Sequence, residues 1–226
     1  CVVEGRTIDI ERLIKSTNAA QSIDYFSLQF AFSNELLQVD FLEDTNSVLD
    51  NINDYSLIYS ILEDDISKNE FESLVNFRLN RDIDFLTGFN FRLKDQYFES
   101  FIQLESDATF IDAGGFDGGT SKLFAKLYPN YKKIYYFEPD KESFNKSIEN
   151  LKDIDRIKYF NKGVWNKTET LAFFNTLGSA NKISTNGNSN IEVISIDETI
   201  DEPVDYIKMD IEGAEYNALM GEKNHI

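Results

Sequence analysis

The sequence predicts an α/β fold, with a parallel sheet and its helices over residues 109–226 preceded by a smaller accessory α/β or helical domain. Three observations point there. From Thr109 onward, short β-rich runs alternate with helical stretches: TFIDAGG, TSKLFAKLYP, KKIYYFEP, KESFNKSIENLK and RIKYFNKGVW. Such alternation marks βαβ units. Runs such as Ile134-Tyr135-Tyr136-Phe137 are apolar without alternation, as strands covered on both faces are. The composition, 42% hydrophobic with 19 Phe and 11 Tyr, supplies a core and excludes a disordered chain.

In chain order, the first segment shows a helical pattern at Ile8 to Lys15 and a strand-like run at Ile23 to Phe32. Asp54 to Asp64 and Glu70 to Leu79 carry apolar residues at helical spacing: Leu57, Ile58, Ile61 and Leu62, then Phe71, Leu74, Val75 and Phe77. The expected division is an accessory domain fragment over 1–53, a helical lead-in over 54–108 and the α/β domain over 109–226. Within the last, Glu169 to Asn175 and Ile191 to Ile196 add strands. GSANKISTNGNSN between them is too polar for core and is expected to be a mobile loop. Asp205 to Asp210 is a further strand, and a helix starts near Gly213. A sheet of this kind has more core strands than these, so more are expected beyond Met220, and the chain is expected to continue before Cys1.

Charge narrows the function. Lys and Arg total 22 against 40 Asp and Glu, a net charge of −18. Nucleic-acid backbones and anionic membranes need clustered cations, so neither is the expected partner. The acids of 35–72, opposed only by Lys68, are irregularly spaced and read as a solvated helical face. A single Cys excludes a disulfide scaffold or a Cys-based zinc site, and no apolar run approaches the roughly 20 residues of a membrane span. The cytoplasm is the expected location.

The most informative stretch is FIDAGGFDGGTS, Phe110 to Ser121. A strand carrying Asp112 turns through Gly114 and enters a helix after Gly118, whose free N–H groups face an anionic ligand. An ordinary tight βα turn is the plainer alternative. Glu138 follows twenty residues after Gly118, at the tip of the next strand. An acid there accepts hydrogen bonds from both ribose hydroxyls of an adenosine. A dinucleotide fingerprint needs a glycine where Phe116 stands. That counts against the runner-up, a nicotinamide-dependent oxidoreductase or epimerase acting on a nucleotide sugar. The D-x-G-x-x-x-G pattern of Asp112, Gly114 and Gly118 instead resembles the first motif of class I S-adenosylmethionine-dependent methyltransferases. Asp112 then orients the turn or meets the methionine ammonium, and Phe116 covers the cofactor.

The resemblance extends further. FIDAGGFDGGTS, YYFEPDKESF, YFNKGVWNKTETLAF, GSANKIS and IKMDIEGAEYNAL resemble, in order and spacing, the FkbM-type methyltransferase family over Thr109 to about Leu219. LEDDISKNEFESLVNFRLNRDIDFL resembles the helical lead-in of some members. The resemblance implies a Rossmann-like class I methyltransferase sheet and methyl transfer from S-adenosyl-L-methionine, usually to an oxygen of a saccharide or secondary metabolite. It places Asp112, Gly114, Phe116, Gly118 and Glu138 at the cofactor, the loop Asn161, Gly163 and Val164 at the adenine edge, and Asp210 at the methionine end. Asp210 and Glu212 flank one residue after a strand and are the catalytic candidates, one as general base for a hydroxyl. Alternatively Asp210, Glu212 and Glu215 hold a divalent cation through their oxygens, or Glu212 and Glu215 cap the next helix. No residue is assigned as a metal ligand. Lys208 either orients substrate or is a structural cation, and His225, the single histidine, is incidental.

Overall fold

Ala113, Phe137, Phe160 and Met209 lie side by side at one edge of a four-stranded parallel sheet. Its strands are β1 (Thr109–Ala113), β2 (Lys133–Phe137), β3 (Ile157–Phe160) and β8 (Tyr206–Met209), in the order β3-β2-β1-β8. This computed structural model describes residues 16, 23–37, 42, 45–90, 92–93, 95–174, 182–183 and 189–223. The chain divides into two compact units, Cys1–Leu93 and Lys94–Ile226, and the sheet belongs to the second.

All five residues of β1 are buried, which explains its unbroken apolar run: both faces of the sheet are covered. On one face, Phe110 stacks on Phe124 of helix α5 (Gly119–Leu127), ring centroids 4.3 Å apart, and on Tyr206 of β8 at 5.8 Å. Phe98, from the segment before β1, packs into the same cluster. On the other face, Ile111, Ala113, Tyr135 and Phe137 meet Val164, Ile194, Ile196 and Ala218. Helix α6 (Lys141–Asn150) follows β2, N-capped by the Asp140 carboxylate on the Ser143 N–H. Helix α7 (Glu215–Met220) follows β8.

A second, mixed sheet supplies much of that other face. It has the order β4-β7-β5-β6, with β4 (Gly163–Val164) parallel to β7 (Ser189–Ile194), and β5 (Glu169–Phe174) antiparallel to β7 and to β6 (Lys182–Ile183). The run RIKYFNKGVW, read as a β-rich run whose Asn161 to Val164 form a loop, holds two strands, β3 and β4, in different sheets. Between them the Asn161 side chain donates to the carbonyls of Glu138 (2.8 Å) and Pro139 (3.2 Å), tying the exit of β3 to the exit of β2. Most of GSANKISTNGNSN lies outside the described residues; its Lys182–Ile183 and Ser189–Asn190 are strand.

In the first unit the helical spacings of 54–64 and 70–79 fall on α3 (Ile52–Ile61) and α4 (Asp65–Asn80), preceded by α1 (Tyr25–Ala31) and α2 (Thr45–Asp50) and followed by a 3₁₀ turn at Ile83–Leu86. The strand expected over Ile23 to Phe32 is corrected to α1. Asp24 accepts from the Ser27 N–H at 2.9 Å and from its hydroxyl at 2.7 Å, an N-cap that starts a helix. The alternating aromatics that imitated a strand are not a buried face: Phe26 packs edge-on against Phe77, but Phe30 and Phe32 are exposed. Residues 8–15 lie outside the described set.

Phe110 is fully buried and stacks on both Phe124 and Tyr206. Phe110→Ala should lower unfolding free energy by about 3–5 kcal/mol, the usual loss for a buried aromatic. Urea titration should show a lower midpoint with an unchanged slope; a shift below about 1 kcal/mol would mean that the ring stack is not what holds β1 to α5.

Candidate functional site

Register puts the site together. Gly114, Glu138, Asn161 and Asp210 each follow the last residue of a strand at the same edge of the parallel sheet. In open α/β sheets ligands sit outside this carboxyl edge.

The turn after β1 is built from close approaches. Gly114 has φ +75°, and a Cβ on it would sit 2.0 Å from the Asp210 carbonyl oxygen. Gly118, with φ +86°, precedes helix α5, and a Cβ there would press into the Leu151 side chain at 2.7 Å. The glycines expected to admit a ligand thus first admit the protein's own neighbouring chain. Between them Phe116 has φ +50° and an exposed ring, with Lys146 Nζ 5.7 Å from its centroid. Its backbone is held on both sides: its N–H donates to Glu138 Oε2 (2.8 Å), and its carbonyl accepts from the Tyr136 hydroxyl (2.8 Å).

Glu138 is 7% exposed. Besides Phe116, its Oε1 accepts from the Asp140 N–H at 2.8 Å, so one carboxylate fastens the β1 turn to the start of α6. Burial pushes its carboxyl up from the usual 4.5 to about 7, against the opposing pull of the Asp140 and Phe116 amides.

Asp112 lies one residue inside β1 rather than at its end, and it is fully buried. Its Oδ2 accepts from the Ser121 hydroxyl at 2.7 Å, and Lys208 Nζ is 3.2 Å from its Oδ1. Lys208, equally enclosed, also donates to the carbonyls of Ala113 (3.2 Å) and Gly114 (2.5 Å). Of the two roles expected for Asp112 the geometry supports orienting the turn, since no face of its carboxylate meets solvent. Lys208 is likewise a structural cation.

Asp210 is exposed. Its N–H donates to the Ala113 carbonyl at 3.2 Å, and its Oδ2 accepts from the Tyr97 hydroxyl at 2.6 Å. Glu212, in the following loop at φ +55°, is exposed; partial desolvation, with Asp210 and Glu215 nearby, pushes its carboxyl up. Glu215 accepts from the Ile211 N–H at 2.9 Å at the entry to α7. Gly163 and Val164 are buried in β4, in the core with Val193 and Ile194; of the three loop residues expected at an adenine, Asn161 lies at the sheet edge. Among the described residues no three His, Cys, Asp or Glu side chains converge as a metal would require. His225 lies outside the described set.

Tyr97 was not anticipated. Its ring faces Lys208 Nζ at 5.4 Å and its hydroxyl also accepts from Gln96 Nε2 at 3.1 Å. Burial, then the Asp210 carboxylate, raises its phenol far above the ordinary range, so it stays protonated and donates.

A family model described as the methyltransferase FkbM domain matches residues 112–226, just over half of the chain. The chain belongs to the FkbM methyltransferase family. The match begins at Asp112, near the end of β1, and takes in β2, β3 and β8 whole. The crystal structure of methyltransferase FkbM from Methylobacillus flagellatus KT superposes with a TM-score of 0.76 at 20% identity, covering 99% of this chain and 58% of that one. The likeness confirms a mixed α/β fold with a parallel sheet, and this chain spans a little over half the length of that relative. An rRNA methylase from Streptococcus thermophilus aligns over 54% of each chain at 17% identity and a TM-score of 0.35, too weak a likeness to bear on the fold. No curated protein matches the chain in sequence.

Two measurements test the FkbM site's electrostatics. Lys208→Met leaves Asp112 buried without its cation and should cost about 3–5 kcal/mol of stability. Adding Asp112→Asn should return part of the loss, and a double variant no more stable than the single would deny the pairing. Glu138 has a folded pKa above its unfolded one, so the folded state holds more protons between pH 4.5 and about 7. Stability from this group is therefore lost as pH rises through that window, by roughly 3 kcal/mol at about 1.4 kcal/mol per unit. Against Glu138→Gln, which stays uncharged, the native protein should be relatively less stable at pH 8 than at pH 5. An equal gap at both pH values would place the Glu138 pKa near its unfolded value.

Proposed function

We propose that this chain is an S-adenosyl-L-methionine-dependent methyltransferase acting on a hydroxyl oxygen, with a saccharide or secondary metabolite as acceptor. The observation that carries the proposal is the pair of carboxylates flanking the glycine turn: Glu138 at the tip of β2 on one side of β1, and Asp210 at the tip of β8 on the other. An elongated ligand lying across the turn meets an acid at each end.

The residues fit the cofactor. Each oxygen of Glu138 accepts one backbone N–H and keeps a second lone pair, enough for two ribose hydroxyls. The exposed Phe116 ring offers an apolar cover beside it, and Gly114, Gly118 and Asn161 shape the loops around it. Asp210 offers a carboxylate to an amino-acid end. Bound there, S-adenosylmethionine supplies a methyl group already activated by its sulfonium. The protein's share of the chemistry is then chiefly orientation. Glu212, an exposed carboxylate in the loop after β8 whose carboxyl is pushed up by partial desolvation, is assigned to take the acceptor hydroxyl's proton. Asp112, Gly163 and Val164 support the site from within the core. The acceptor class rests on the family resemblance. The net charge of −18 favours a small-molecule or glycan acceptor over nucleic acid, and the lone Cys favours a cytoplasmic setting. No helix among the described residues is long and apolar enough to cross a membrane.

Calorimetric titration with S-adenosylhomocysteine tests the proposal, and a folded chain that does not bind it would sink it. Glu138→Ala should weaken both S-adenosylhomocysteine and 5′-methylthioadenosine at least tenfold, because both carry the ribose and a hydrogen bond to a charged group is worth about 1.5–3 kcal/mol. An unchanged dissociation constant removes Glu138 from the site.

A further inference from the structure

We propose that Tyr97 is a positioning residue that holds the Asp210 carboxylate toward the α-ammonium of the cofactor's amino-acid end. The inference rests on the S-adenosylmethionine reading above and deepens it: recognition of the methionine portion depends on a residue from the segment before the sheet.

The argument begins with which anion at the turn has a free face. Asp112 is enclosed by Ser121 and Lys208. Asp117 turns back to accept from the Gly119 N–H at 3.1 Å. The carbonyls of Ala113 and Gly114 already receive the Lys208 ammonium. Glu138 stands on the β2 side, where the ribose is assigned. Of the groups bordering the turn on the β8 side, Asp210 is the exposed carboxylate that touches it, its carbonyl packed against Gly114.

An exposed aspartate has rotational freedom that a ligand must remove. Tyr97 removes it beforehand. The phenol donates to Oδ2 at 2.6 Å and leaves Oδ1 for another donor. Gln96 donates to the same phenol oxygen, so the hydroxyl proton is directed at Asp210. The tyrosine is itself anchored three ways: Tyr206 at the start of β8 donates its hydroxyl to the Tyr97 carbonyl, the ring lies against the Lys208 ammonium, and Phe98 is buried next to it. Preorganisation of this kind raises affinity by cutting the ordering cost of binding.

The test uses two ligands that differ at the amino-acid end. S-adenosylhomocysteine carries the α-ammonium; 5′-methylthioadenosine shares the adenosine and the sulfur but lacks it. Tyr97→Phe keeps the ring on Lys208 and removes only the hydroxyl. By calorimetry it should weaken S-adenosylhomocysteine about tenfold and change 5′-methylthioadenosine less than about twofold. In an Asp210→Ala background the same change should have no further effect on S-adenosylhomocysteine, since Tyr97 acts through Asp210. Equal weakening of both ligands would make Tyr97 a general structural residue and overturn the inference, as would no weakening of either. Should the native protein bind neither ligand, the cofactor reading fails first and the inference falls with it. Native binding with an unaffected variant defeats the inference alone.

Discussion

The buried contact between Lys208 and Asp112 is the constraint on which the site depends. Two charges removed from water are tolerated only when each finds further partners. Asp112 has the Ser121 hydroxyl, and Lys208 has the carbonyls of Ala113 and Gly114. The ammonium thereby joins β8 to β1 at the level where β1 becomes the glycine turn. It also sets Asp210, two residues further on, against Gly114. The side chains that face solvent at this edge are aimed by a pair that does not.

Glu138 works by the same logic from the other side. Its carboxylate is tied to the N–H groups of Phe116 and Asp140, and Asn161 holds the carbonyl of the same residue. The exits of β1, β2 and β3 are thus laced by side chain to backbone, a rigid arrangement that suits the proposed methyl transfer, which asks chiefly for alignment. An acid that shapes the turn, and in the proposed function also faces the ribose, cannot be exchanged for a shorter one without surrendering one of the two roles.

The parallel strands were legible because their apolar runs lack alternation, and the turn because Asp112, Gly114, Gly118 and Glu138 are close in sequence. Roles were harder to read than positions. Asp112 has the residue type of a ligand contact, and only its neighbours, Ser121 nine residues away and Lys208 on a distant strand, show that it faces inward. Tyr97 was invisible for a similar reason: its partner lies 113 residues along the chain, and nothing in the local pattern marks it. The family resemblance puts Gly163 and Val164 in a loop at the adenine edge; the break at Asn161 instead sends them into a second sheet, which local sequence does not mark. At Ile23 to Phe32, alternating aromatics imitated a strand, and the Asp24 cap decided for a helix.

The strand order β3-β2-β1-β8 has a consequence for how the site comes into being. β1, β2 and β3 pair with near neighbours in the chain, whereas β8 returns to β1 across about 95 residues. Closing a loop of that length costs roughly 4 kcal/mol of chain entropy beyond the constant term, against about 3 for one of 25 residues. The central pairings are therefore favoured to form while Asp112 still has water on its carboxylate, with the second sheet spun out between them and the returning strand. On a ribosome the order is imposed outright: Asp112 is made long before its cation, and the edge that is to hold a ligand stays open until the chain has been synthesised past Met209.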